Sequence, residues 1–584
     1  MAYIASTASD NTSINAFLGL NLSETGATNL KLGESPKMVN FKVSHDYKLE
    51  KMYGYRNKYT KSNKVRAMWV GELGETEVFV YVCGGKVYNG DTEIGTLEDD
   101  VTRIFEFNKK LYFRNGHEYY YWDGLTFGTV TGYAPLIRVG TPPAGGGTAY
   151  EGINVLTGEK RQSFSADGTS DTYQLAETNV TSIDSVKVDG IEVTTGITKN
   201  TTAGTVTFGT APLEGVDNIE ITWTKATQQR DLVYKNHYSQ SYGLADDTRV
   251  FLYGNADAKN RIYFSDLANG IPSAEYFPAN NFIDVGTSNT AVTDIQRQYD
   301  KLIVSKETST YYCKYEALMD SSGETITTFP IYPLNKAHGA ICYNQGQVLD
   351  NYVTTIDTSI VQWVNTETQD ERNAQVISNK IHQWLDEKDL TKAVTMDYQE
   401  EKEYWLAIDN EVMIYNYEIG CYSLLELPCN ITCFYNKYGI IYAGTEDGKI
   451  IEFGKELTKY GNEVIKAEWQ SGYYDFGVEE RKKTMKILWI ALKSWFNTSL
   501  DINYASDRDN GSENKTILNR TATFSHMNFA NFSFNTQRSV RPFRVKLKAK
   551  KFAFLKLILK NEQGDEKVTI NSIAIKRAIG GEVK

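Results

Sequence analysis

Short runs in which aromatic or aliphatic residues alternate along an extended chain, each closed by a turn-forming pair, recur through this sequence. In EVFVYVCGGKVYNGD, Val78, Val80 and Val82 fall on one strand face and Phe79, Tyr81 and Cys83 on the other, and Gly84-Gly85 follows. A period of two marks a strand, and apolar residues on both faces mark one covered on both sides. FNKKLYFRNGHEYYYWDG (residues 107–124) and YNKYGIIYAGTEDGKIIEF (residues 435–453) repeat the scheme, with turns at Asn115-Gly116 and Asp447-Gly448. Such pairs accept the positive φ that a tight hairpin demands.

Further hairpins of this kind turn near Asp257, Glu307 and Asp357 and at Asp409-Asn410. From Asp257 to Asp447 the turns step by 50, 50, 52 and 38 residues. That is the length of a four-stranded propeller blade, roughly 40–50 residues. Each hairpin supplies two strands that need neighbours on both faces, and radial stacking of blades provides them. The pattern therefore predicts a mainly β chain: a β-propeller with an inserted small β domain and a C-terminal β-sandwich-like domain, with an ordinary β-sandwich array as the plainer reading of the same hairpins.

The domain boundaries follow from changes of texture. Residues 1–60 are N-terminal strands that join or close the propeller, and residues 61–140 hold its first hairpins. Residues 141–228 open on the Pro/Gly-rich GTPPAGGGTAY and continue Thr/Val/Gly-rich, as an inserted domain at an exposed loop. Residues 229–465 carry the remaining blades, and residues 466–584 form a basic C-terminal β domain. One helix is predicted in SNKIHQWLDEKDLTKAV, with Ile381, Trp384, Leu385 and Leu390 on its core side and Ser378 as N-cap.

Composition sharpens this picture. A chain of 584 residues is too long for one core, and its 39 Tyr with only 11 Pro favour strands. No apolar run is long enough to span a membrane, and MAYIASTASDNTSINAF lacks the charged start and apolar centre of a secretory signal, so a cytoplasmic site of synthesis and a chain with no membrane segment are expected. The six cysteines form no disulfide framework. Cys83 and Cys313 lie in apolar runs, and Cys421, Cys429 and Cys433 lack the spacing and histidine partners of a zinc site.

Charge is divided unevenly. Residues 466–584 carry 22 Lys and Arg against 12 Asp and Glu, a net +10, which leaves the first 465 residues at a net −21. The most basic stretch is RPFRVKLKAKKFAFLKLILK (residues 541–560). On a strand, Arg544, Lys546, Lys548 and Lys550 share one face and Val545, Leu547 and Ala549 the other. This row is the candidate contact with a partner or neighbouring subunit. Its plainer reading is an edge strand kept from aggregating by lysines.

Catalytic constellations are thin. The chain has no G-x-S-x-G, H-E-x-x-H or phosphate loop, and its six histidines (His45, His117, His237, His338, His382 and His526) are scattered. DRDNGSEN (residues 507–514) opens like a calcium loop without the rest of the spacing. SADGTSD departs from the repeated Asp turn of sialidase-like propellers and lies in the insert. No enzyme, no cofactor and no metal are expected.

Several segments resemble the tail nozzle proteins of short-tailed bacteriophages, the family that includes tail tubular protein B and packaged-DNA stabilisation proteins. They are FLGLNLSETGATNLKLGESPKMVNFKVSHDYKLEKMYGYR (residues 17–56), YEGINVLTGEKRQSFSADGTSDTYQL, RIYFSDLANGIPSAEYFPANNFIDVG and RPFRVKLKAKKFAFLKLIL. All are strand-and-turn idioms spread over most of the chain. The resemblance implies a structural virion protein of the tail, assembled in the host cytoplasm. Six copies would form a ring below the portal-adaptor ring, with tail fibres or a tail spike as further partners. Double-stranded DNA would be held in its channel and then released. An acidic wall would repel phosphates and keep DNA sliding, while the basic domain would dock on an acidic neighbour. The alternative is a phage-tail propeller adhesin that binds a host surface glycan through Trp and Tyr. A propeller glycosidase is a third reading and would need a dedicated carboxylate pair.

Overall fold

A computed structural model describes residues 9–23, 30–226, 229–243, 247–319, 325–366, 371–493, 495, 497–508, 514–520 and 540–583. The fold is mainly β, as the period-two alternation predicts. Its recurring element is a four-stranded antiparallel meander. Among the described residues strands pair in chain order to give six of them, Val65–Leu73 to Thr92–Thr96, Arg103–Phe107 to Phe127–Thr129, Tyr238–Tyr242 to Phe282–Asp284, Val292–Gln298 to Ile331–Asn335, Gln347–Leu349 to Ala374–Val376 and Val394–Tyr398 to Cys421–Glu426, and a seventh takes three late strands, Ile431–Lys437 to Lys449–Phe453, and one early strand. Every turn expected from sequence, from Gly84-Gly85 to Asp447-Gly448, is the connection between the two middle strands of one meander.

The turn chemistry fits this geometry. Gly84 and Gly85 have φ of 57° and 72°, Asn108 and Lys109 of 50° and 61°, and Tyr438 and Gly439 of 51° and 75°. Positive φ at both central residues matches the right-handed twist of the strands that such turns join. Gly116 meets a second demand, since a Cβ there would lie 2.2 Å from the His237 ring.

The chain divides into two compact units. In the unit of residues 66–346 and 365–373, successive meanders pack face to face. Val80 and Val82 of the first meet Leu111, Phe113 and Trp122 of the second. Tyr112 and Tyr119 of the second meet Val250, Leu252 and Tyr263 of the third. Phe251 and Ile262 of the third meet Ile295, Leu302 and Val304 of the fourth. Each inner strand is thus covered on both faces. Thr76–Cys83 is buried from Val78 to Cys83, as its double alternation requires.

The same unit carries the inserted domain. Strands Leu136–Thr141, Glu159–Ala166, Ser182–Val188 and Gly215–Thr224 build its larger sheet, and Thr172–Gln174, Ile197–Asn200 and Thr205–Phe208 a smaller one. Phe164, Tyr173, Ile221 and Trp223 fill the core. The chain leaves it through a short helix, Asp231–Tyr234. Arg114 of the second meander, fully buried, donates to the Tyr234 and Asn236 carbonyls at that helix end, at 3.3 and 2.7 Å.

In the other unit, Trp405, Leu425, Ile441, Ile451 and Phe453 join the sixth and seventh meanders. The fourth strand of the seventh is Tyr55–Thr60, paired antiparallel to Lys449–Phe453. The strands before it take a different place: Ser9–Ile14 and Leu49–Lys51 pair with Thr569–Glu582, and Lys37–Val39 with Ala467–Gln470. The C-terminal strands form two sheets, one running Thr569–Glu582, Arg481–Leu492, Arg541–Val545 and the other Ala467–Gln470, Leu555–Asn561, Asn497–Ser506, Lys515–Arg520. Leu488, Ile490 and Leu492, like Leu555, Leu557 and Leu559, are buried on one face of each.

The predicted helix is shorter than its pattern. It spans His382–Asp386 and is capped by Ile381, whose side chain has no acceptor, while the expected cap, Ser378, lies outside it and its hydroxyl accepts the Ile360 N–H at 3.0 Å. Ile381, Trp384, Leu385 and Leu390 are buried as expected. Among the described residues no helix is long and apolar enough to cross a membrane.

Candidate functional site: a basic groove on the C-terminal sheets

Among the described residues Arg541–Val545 is the outermost strand of its sheet, paired to Arg481–Leu492 with Trp489 opposite Arg544. Beyond Val545 the regular ladder ends, yet the chain stays alongside its neighbour: Met485 N–H donates to the Ala549 carbonyl, and Lys483 and Phe552 exchange N–H···O bonds of 2.7 and 3.0 Å. The alternation continues through this loosened edge. Arg544, Lys546, Lys548 and Lys550 are exposed, and Val545, Leu547 and Ala549 are buried. All four predicted contact residues therefore lie together on one solvent-facing row.

The row borders a groove of about 720 Å³ whose other lip is the strand Lys515–Arg520. Met485, Ile517, Phe543, Val545 and Leu547 supply its apolar lining; Lys486 and Lys515 join the four predicted residues, and among the described residues no carboxylate lines it. A row of cations over an apolar floor makes a surface that attracts an acidic partner. Arg544, Lys546 and Lys550 form no ion pair among the described residues. The sequence shows the row but not the opposite lip, since Lys515 approaches it only through folding.

A smaller cleft, about 280 Å³, opens near Lys42, Lys51, Tyr53, Glu401, Trp495 and Glu566. Burial would push the Lys42 ammonium down, but the Glu403 and Glu401 carboxylates hold it above the usual lysine range, and its Nζ lies 3.0 Å from Glu403 Oε1. Lys51 differs. Burial pushes it down to about 8, against the pull of Glu566, and its Nζ donates to Asn561 Oδ1 and the Gln563 carbonyl at 2.5 and 2.8 Å. The Trp495 ring has the Lys493 and Lys567 ammoniums 4.3 and 5.4 Å from its centre.

The remaining candidates carry less. His117 sits between Glu98 and Asp100, and burial lowers the pKa of His237. Cys313 and Cys421 are pushed up by burial to about 12 and 11, which makes them poor nucleophiles. Among the described residues, no three His, Cys, Asp or Glu side chains gather to hold a metal. Residues 509–513 of DRDNGSEN and His526 lie outside the described residues; Asp507 accepts the Ala553 and Phe554 N–H groups at 2.9 and 3.1 Å.

No family model matches the chain, and no curated protein matches it significantly. Solved structures give only low likenesses. A computationally designed protein, Ika8, is 10% identical, with 69% of this chain and 99% of that one covered, at a TM-score of 0.30. BamB from Moraxella catarrhalis is 12% identical over 76% and 97%, at 0.33. An exo-β-1,3-galactanase from Phanerochaete chrysosporium, solved with β-1,3-galactotriose, is 7% identical over 58% and 95%, at 0.22. At these scores the three bear on neither the fold nor the activity of this chain.

Proposed function

We propose that the chain is a non-enzymatic structural subunit in which seven blades close into one propeller. Six copies form a tail nozzle of a short-tailed bacteriophage, which retains packaged DNA and then lets it pass. The observation that carries the propeller is the mixed last meander, where Tyr55–Thr60 supplies the fourth strand beside Lys449–Phe453. A first strand that completes the last sheet ties the ends of the meander series together, the arrangement that leaves a radial stack of sheets without open edges. Apolar clusters shared between successive meanders support the same reading.

The nozzle assignment rests on the strand-and-turn resemblance and on the division of charge. An acidic body lining an axial channel repels phosphate and leaves DNA mobile. The basic C-terminal sheets then face a neighbour or the adaptor ring rather than the DNA. The adhesin alternative needs a free aromatic platform. The cleft's Trp495 is a weak one, because two lysine ammoniums already lie near its ring.

Light scattering of the purified chain, alone and with an adaptor ring, tests the reading. Six copies of a 65.9 kDa chain give about 395 kDa. A 65.9 kDa species under both conditions contradicts it.

A further inference from the structure

Three aliphatic side chains stand in solvent on the inserted domain: Ile191, Leu213 and Val216 are 73, 83 and 86% exposed. Strand register brings them to one tip. Ala166 pairs with Gly215, and Val188 pairs with both Ile219 and Ile191, so the turn at residues 189–191 and the segment 213–218 flank the same end of Gly215–Thr224. The chain arrives and leaves at the opposite end, where Leu136 pairs with Arg161 and Glu159 with Thr224. A single exposed leucine carries no meaning; three aliphatics at the far end of an inserted domain form a patch.

The charge around the patch is mostly negative; Lys187, opposite Glu192 in the register, lies at its margin with its ammonium 3.3 Å from Glu220 Oε1. Asp167, Asp171, Asp189, Glu192, Glu214 and Asp217 are all exposed, and residues 167–171, 189–192 and 209–218 contain no Lys or Arg. The tip thus combines exposed aliphatic side chains with six exposed carboxylates on the same turns, and one lysine, Lys187, at its margin. The groove on the C-terminal sheets is its complement, an apolar floor ringed by six cations.

We infer that the insert tip of one copy docks into the groove between Lys515–Arg520 and Arg541–Val545 of the next copy. This rests on the ring proposed above and names the surfaces that make it. A contact between two different patches of the same chain is head-to-tail, and repeating it generates a ring when the rotation closes. Lysines along the edge discourage pairing with a neutral strand while leaving their charge for an acidic partner. Duplex DNA would match the groove's charge but leave the apolar tip without a role. An anionic membrane would be repelled by the tip's carboxylates.

The test compares the wild-type chain with Glu192→Lys/Glu214→Lys, Lys546→Glu/Lys550→Glu and a chain carrying all four changes. Mass is read by light scattering at low and high salt, and folding by circular dichroism. The contact predicts a wild-type ring that weakens with salt, monomers for each double variant, and a ring restored when the charges are exchanged in one chain. Leu213→Ser/Val216→Ser, in solvent-exposed positions, should also give a folded monomer. If wild type and both charge variants all form rings, the contact is wrong and the ring stands. Assembly lost only on the groove side, or groove variants that lose binding to duplex DNA without any change in mass, also overturns the contact. A wild-type chain that stays monomeric even with the adaptor overturns ring and contact together.

Discussion

The ring of Tyr55 meets that of Phe453 edge-on, with centroids 5.6 Å apart at 72°, and the two residues are paired across the ladder between the N-terminal strand and the last meander. Tyr55 also stacks on Tyr460 at 5.3 Å, and beside it Glu452 accepts hydrogen bonds from Arg56 and Lys58. The seam between early and late chain is therefore an aromatic core contact with a polar rim.

That seam should be sensitive at its centre and tolerant at its rim. Tyr55 is buried, so Tyr55→Ala removes a large core side chain and should cost about 3–4 kcal/mol. The Arg56 side chain is 66% exposed, and Arg56→Ala should stay within about 1 kcal/mol. Denaturant midpoints of the two variants give the comparison. Equal effects would mean that the seam is not held by its aromatic centre.

Asp294 predicts a pH dependence. It is fully buried; Oδ1 accepts the Gly346 N–H at 3.1 Å and the Gln296 amide at 3.2 Å, and Oδ2 has no partner among the described residues. Burial pushes the carboxyl up to about 6 from an ordinary 3.8. Between these values the folded chain keeps a proton that the unfolded chain releases, so stability falls as pH rises through the window. Above it the full cost is about 3 kcal/mol. Asp294→Asn should flatten the melting profile between pH 4 and pH 6 and raise Tm at neutral pH. An unchanged profile would show that Asp294 does not titrate in this way.

Lys51 should titrate near 8, where its cleft holds it. After reductive methylation with labelled formaldehyde, its dimethyl resonance should move with a midpoint close to that value, while exposed lysines move more than a unit higher. The folded-state value lies below the unfolded one, so this group's contribution to stability rises with pH across the interval. A midpoint in the ordinary lysine range would mean that water reaches the amine freely.

Arg114 ties the exit of the inserted domain to the second meander. Its guanidinium donates to the Tyr234 and Asn236 carbonyls, lies 4.5 Å from the centre of the Tyr119 ring, and is pushed down by burial to about 10. Arg114→Met strands these carbonyls in a dry site and should cost about 3 kcal/mol or more. Lysine should recover only part of that, because one ammonium cannot reproduce the planar fork. Thermal melts of the two variants rank them.

Much of the repeating architecture was legible in the sequence because its signals are local. A Gly-Gly or Asp-Gly pair fixes a turn through its own φ, and Val78, Val80 and Val82 declare a face through their own spacing. Ser378 misled for the complementary reason: its hydroxyl looked like a helix cap, but a distant strand claimed it through the Ile360 N–H. The basic row from Arg544 to Lys550 was visible as alternation. Its groove was not, since Lys515 and Ile517 reach it only through sheet topology. The insert tip was hidden too. Alternation tells which residues share a face, but nothing in the local pattern tells that Leu213, just before its strand, and Val216, near the strand's start, precede the first covered position, Ile219.

The most direct measurement is negative-stain electron microscopy of the full-length chain, alone and with the adaptor ring. Class averages should show closed rings of six copies with an open axis. Isolated particles of one copy under both conditions, or rings with no axial opening, would contradict the nozzle account.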